Sequence, residues 1–185
     1  MPVNAETLTP EFSRLIAIEG ITPDKTRSEK IDATEEECAA LAVRFGLRHL
    51  ANVTATVNIR RISGSDMIKI DGTFSADVVQ ACVVSLQDVH GHIDGSFDTY
   101  FTQTAGALRD EVEFSLEDDL EAAEIVANGM IDMGEVVAQY LSLDLDPYPR
   151  APGVSLAAQM RETGAGGKTS PFQVLAALKA HEDKE

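Results

Sequence analysis

The segment His90-Gly91-His92-Ile93-Asp94 spells H-x-H-x-D, a run whose residue types could hold a metal ion. On a strand, side chains two apart share a face, so two imidazoles and a carboxylate could converge on one cation. A metal-dependent hydrolase using His90, His92 and Asp94 is the enzymatic reading this permits. Against it, Gly95 stands where such a motif continues with another histidine, and His181 is the only later one. The expectation is two exposed histidines in a turn between strands, with no metal and no cofactor.

Other constellations are weaker. Glu117, Asp118, Asp119 and Glu121 could imitate the carboxylates of a two-metal nuclease, but such sites mount their ligands on rigid, separate elements. These four are nearly consecutive in an unpatterned stretch, so a solvated charge run, available to a partner, is expected. Arg60 and Arg61, with Arg44, Arg48 and His49, could form a basic patch, the plausible RNA-facing surface. Aromatic residues for stacking bases are missing nearby, so these arginines also read as balancing the acidic excess. Two cysteines, Cys38 and Cys82, are too few for a zinc site without histidine help and read as small buried hydrophobes. Gly164-Ala165-Gly166-Gly167-Lys168-Thr169 lacks the glycine spacing and preceding strand of a phosphate loop.

The elements that must carry these residues follow from patterning. Phe12 to Ile18 is a short apolar run fit for a strand, ended by a turn at Thr22-Pro23-Asp24. Thr34 and Glu37 have capping-box spacing for a helix reaching Phe45, with Gly46 as its stop. Val53, Ala55, Val57 and Ile59 then alternate with polar residues, as do Ile68, Ile70, Gly72, Phe74 and Ala76 after a turn at Ser63 to Asp66. A uniformly apolar stretch, Val78 to Leu86, precedes a further alternating run from Ile93 to Phe101, with Cys82 expected on a strand facing the core. Short connections favour an antiparallel meander. Gln103 to Glu124 reads as an acidic loop. Asp132 and Glu135 predict a second capped helix burying Val136, Val137, Tyr140, Leu141 and Leu143 and ended by Asp146-Pro147-Tyr148-Pro149. Ser170-Pro171 opens a last helix with Phe172, Leu175 and Leu178 on one face.

Composition bounds what such a chain can be. Its 185 residues are 44% hydrophobic but only 5% aromatic, with no tryptophan. The core must rest on aliphatic side chains. No run approaches the ~20 apolar residues of a membrane helix, and Glu6, Glu11 and Arg14 interrupt the N-terminal apolar patch, so neither a membrane span nor a signal peptide is expected and the location expected is cytoplasmic. The net charge is −16, with twelve acidic and no basic residues between Asp110 and Pro149. Such a surface repels phosphate backbones and attracts basic partners.

Four segments together resemble the YceD family. Gly72 to Val89, reading GTFSADVVQACVVSLQDV, is similar to a family core in which a small-residue strand start leads to a Cys-x-x-Cys-Leu element. Cys82 and Leu86 match its first cysteine and leucine, and Ser85 stands at the second cysteine. Ile131-Asp132-Met133-Gly134-Glu135 resembles the family's Ile-Asp-Leu-Gly-Glu helix start. Leu143 to Pro149 looks like its Leu-x-Leu-x-Pro-x-Pro continuation, and Ser170 to Lys179 like its C-terminal helix. The resemblance implies a role in accumulation or processing of large-subunit (23S) ribosomal RNA in bacteria and plastids. The Ser85 departure removes half of any cysteine pair.

The expected fold is α+β: an antiparallel sheet of about five to six strands, open or barrel-like, with flanking helices. Residues 1–150 form one domain with the acidic loop 103–124, 151–169 a flexible linker, and 170–185 a helix. The expected function is a non-enzymatic accessory factor in ribosome biogenesis that binds a basic ribosomal protein or pre-ribosomal particle, through Glu117, Asp118, Asp119 and Glu121 and, for direct RNA contact, Arg60 and Arg61. The alternatives are the hydrolase above and an acidic adaptor unrelated to ribosomes.

Overall fold

A computed structural model describes residues 10–103, 123–126 and 128–155. The charge run Glu117 to Glu121, the C-terminal helix at 170–185 and all but the first residues of the linker lie outside them. Nine elements follow in order: β1 (Leu15–Ala17), β2 (Arg27–Asp32), α1 (Glu35–Phe45), β3 (His49–Arg61), β4 (Ile68–Ala81), β5 (Asp88–Thr102), β6 (Glu124–Ile125), β7 (Met130–Asp132) and α2 (Met133–Leu143).

Strand alternation builds the main sheet. Val53, Ala55, Val57 and Ile59 of β3 and Ile68, Ile70, Phe74 and Ala76 of β4 are all buried on one face. Their polar alternates line the other, as the period of two requires. The order is β2-β3-β4-β5-β6, antiparallel except for β6, which pairs parallel with β5 at Phe101 and Thr102. A parallel pair needs a long connection, and the chain supplies one between Thr102 and Glu124. The sheet is open rather than closed, so the barrel-like form is not adopted. Ile68 to Ala81 is one strand, and the apolar run expected at Val78 to Leu86 divides into its end and a turn. Cys82 therefore lies in the turn, buried, and not on a strand.

Both helices pack on the buried face, and Arg14 bridges their N-termini. Thr34 and Glu37 form the capping box of α1, and Gly46 closes it in the left-handed conformation at φ 67°. Asp132 caps α2 by accepting from the amides of Gly134 and Glu135. The same carboxylate accepts from the Arg14 amide at 2.7 Å and the Ser13 hydroxyl at 2.6 Å. Arg14 in turn reaches the Glu37 carboxylate with both terminal nitrogens, at 2.6 and 2.8 Å, while stacking over the Phe12 ring. That guanidinium, first, with the Thr34 amide, holds the Glu37 carboxyl down at about 2. Glu135 does not complete a second capping box; its carboxylate pairs with Arg44 of α1 at 2.6 and 2.8 Å.

Gly134 is required by proximity. A methyl group there would overlap the Phe12 carbonyl, which lies against the first turn of α2. Met133, Val137 and Leu141 are fully buried behind it, whereas Leu143, expected inside, is 74% exposed at the last turn. Gly134→Ala should therefore cost about 1–3 kcal/mol, the range for forcing extra volume into a packed site. Urea denaturation measures this; a midpoint equal to that of the parent chain would contradict the close approach.

Candidate functional site

The face of the sheet not covered by the helices gathers His90, His92, Asp94 and Arg60 of the residues that sequence patterning singled out. The register sets out its rows. Arg60 stands beside Lys69 and Tyr100, Asn58 beside Asp71 and Asp98, Thr54 beside Ser75 and Asp94. His90, His92 and Asp94 share this face, within β5 rather than in a turn. His92 sits between carboxylates, its Nδ1 2.6 Å from Asp77 and its Nε2 3.4 Å from Asp94. Asp77 is itself held by Asn52 at 2.6 Å, from the bulge at Ala51 to Thr54 where Asn52 adopts φ 54°. Asp77, first, and Asp94 raise the His92 imidazole above its ordinary value. His90 joins neither contact, and no group of three or more His, Cys, Asp or Glu side chains among the described residues is arranged to hold a metal ion. The imidazole is thus held between carboxylates that favour its charged form.

The basic patch does not assemble. Arg60 and Arg61 are consecutive strand residues and point to opposite faces. Arg61 donates to the carbonyls of Ile21 and Asp66. Arg44 is taken by Glu135 and Glu11, and Arg48 lies 3.7 Å from Asp88. Among the described residues of the open face, Arg60 is exposed beside Lys69, Lys69 pairs with Asp98 over the Tyr100 ring, and Lys30 lies 3.5 Å from Asp32. Exposed aspartates outnumber these cations across the face.

A second gathering lies at the turn between β4 and β5. Two segments far apart in sequence meet there: the Val83 amide donates to the Pro149 carbonyl at 2.9 Å, and the Gln80 amide group to that of Asp146 at 2.9 Å. Cys82 is enclosed by this junction. The adjoining Ser85 hydroxyl, then the amides of Ala151, Ser85 and Val84, bring its thiol down to about 6 against the opposing effect of burial. The Ser85 amide lies 3.4 Å from the sulfur. Around the thiol, Val83, Leu86 and Tyr148 are 49, 69 and 70% exposed, and Leu86 holds φ 60°. That is a sparsely populated conformation for a branched side chain, sustained by its surroundings. Sequence spacing did not show this meeting, because only the path of the chain after α2 returns Pro149 to the turn. Cys38 and Cys82 are both free and buried.

A family model described as large ribosomal RNA subunit accumulation protein YceD matches residues 70–179, well over half of the chain. No curated protein and no solved structure matches it. The matched span begins in β4 and takes in the open face of β5, the Cys82 turn, the Asp132 cap and the Pro149 segment.

The pairing of His92 with Asp77 carries a pH signature. A group whose folded value is raised stabilises the fold below its unfolded value of ~6.5 and loses that contribution as pH rises through the folded value. In an NMR titration His92 should therefore titrate above the ordinary imidazole value, and Asp77→Asn should bring its midpoint down. A midpoint unchanged by that substitution would show that the carboxylate does not set it.

Proposed function

This chain belongs to the YceD family, and from that premise we propose that it is a non-enzymatic accessory factor in ribosome biogenesis. It supports accumulation or processing of large-subunit ribosomal RNA by binding a basic ribosomal protein, free or within a pre-ribosomal particle, in the cytoplasm. The observation that carries this reading is the charge of the sheet face that, among the described residues, no helix covers. Asp71, Asp77, Asp94 and Asp98 lie along two neighbouring strands, and of the basic side chains beside them Lys69 is paired with Asp98 and His92 with Asp77, while Arg60 stands at one end. Rows of fixed carboxylates steer basic surfaces toward them and oppose a phosphate backbone. The divergence of Arg60 and Arg61 further favours protein over bare RNA as the direct contact. With the overall charge of −16, Glu117, Asp118, Asp119 and Glu121 add to the attraction for a basic partner.

Affinity capture with the intact chain from nuclease-treated extract should retain ribosomal proteins of high isoelectric point. Their association should weaken steeply as the screening length falls from ~8 Å at 0.15 M salt to ~3 Å at 1 M. Neutralising Glu117, Asp118, Asp119 and Glu121 together should slow association more than it speeds dissociation, because rim charges act mainly on encounter. Capture that is abolished by nuclease, or that depends on Arg60 and ignores the four acids, would make RNA the ligand.

A further inference from the structure

β5 is a long strand with one partner for most of its length. Of its 15 residues, all but Thr102 pair with β4, but only Phe101 and Thr102 pair with β6 on the other side. Among the described residues the outer edge from Asp88 to Phe97 pairs with no strand, and at Asp98 the Tyr140 hydroxyl already occupies the carbonyl. An unpaired edge presents a row of amide and carbonyl groups ready for another strand. The chain itself uses the edge in this way where β6 joins it.

We propose that this edge accepts an extended basic segment of the partner protein as an added strand. The proposal rests on the reading above that the partner is a basic protein and specifies where and how its chain docks. Main-chain hydrogen bonds supply affinity in such additions, and side chains at alternate positions supply selectivity. The open-face column of β5 runs Asp88, His90, His92, Asp94, with its carboxylates at the two ends, Asp88 3.7 Å from Arg48, and Asp77 next to it on β4. An added strand places every second side chain beside that column, where lysine or arginine is favoured and aspartate or glutamate opposed. A second copy of this chain would bring the same acidic column against itself, so the charges that admit a basic strand also prevent edge-to-edge self-association.

The other face of the edge requires different residues. Gly95 is filled from within, since a methyl group there would overlap Phe74 and the Asp144 carboxylate. Gly91 is exposed, with only ordinary contact to Val78 beyond it, and leaves room for an apolar side chain from the added strand. Beyond Asp88 the edge runs into Val83 and Leu86 of the turn, which are available to anchor an apolar residue at the segment's end. The segment that fits alternates basic with apolar residues.

The test uses the full chain and a soluble peptide of about ten residues alternating lysine and valine, long enough at ~3.3 Å per residue to span Asp88 to Phe97. Amide hydrogen exchange should slow by about tenfold or more within residues 88–97 when the peptide is saturating, and not elsewhere in the sheet. A peptide of the same sequence with alternate backbone nitrogens methylated keeps the charge but cannot complete the ladder, and should give no protection. A glutamate-valine peptide should not bind, and Asp94→Lys should weaken the lysine peptide by about tenfold. Equal binding of the methylated peptide, or protection confined to residues outside 88–97, would overturn strand addition. That failure would leave the nuclease-resistant, salt-sensitive capture of basic ribosomal proteins to stand or fall by itself.

Discussion

The Asp132 carboxylate is the contact on which the arrangement of the described chain most depends. It accepts from the amides of Gly134 and Glu135, from the Arg14 amide and from the Ser13 hydroxyl. It therefore caps a helix and, with the same two oxygens, fastens a segment nearly 120 residues earlier in the chain. Arg14 passes the connection to Glu37, and Glu37 to the first turn of α1. The two helices, the β1–β7 pair and the end of β2 are joined through this one polar relay. Its members are hydrogen-bonded at every step, as partly buried polar groups must be to avoid a desolvation cost.

This relay explains most of a sequence motif that would otherwise invite a catalytic reading. In Ile131-Asp132-Met133-Gly134-Glu135, the isoleucine and methionine are buried, the aspartate caps, the glycine lets the Phe12 carbonyl approach, and the glutamate pairs with Arg44. Every residue has a structural task, and none is left facing solvent with an unassigned charge. The surfaces free to act on something else lie elsewhere, on the open face of the sheet and at the turn enclosing Cys82. The framework and the candidate surfaces are separate sets of residues.

What could be read from the sequence divides along a similar line. Local signals were legible: the Thr34–Glu37 box, the Gly46 stop, the alternation in β3 and β4 and the Asp132 cap each arise from neighbours in the chain. β2 was missed because Ile31 is its only fully buried residue, so it shows no alternation against its polar flanks. Leu143 was placed inside by helical spacing, but at the end of α2 it is Leu141 and, past the helix, Leu145 that pack against the core. The candidate surfaces were the least legible. Arg60 and Arg61 looked like one patch because they are adjacent, although adjacency on a strand separates them. The Asp77–His92 contact depends on the β4–β5 register, and the Pro149–Val83 contact on the return of the chain; neither leaves a spacing in the sequence.

The account assigns the family's role to charge displayed on a rigid sheet rather than to bond-making chemistry. The most direct test is the steady-state level of large-subunit ribosomal RNA in cells whose only copy of this protein carries Asp77→Asn, Asp94→Asn and Asp98→Asn together. These changes keep side-chain shape and leave the Asp132 relay untouched, so the melting temperature serves as the control for folding. The account predicts a folded protein with a reduced level of the RNA. Full accumulation of large-subunit RNA with all three carboxylates neutralised would contradict it.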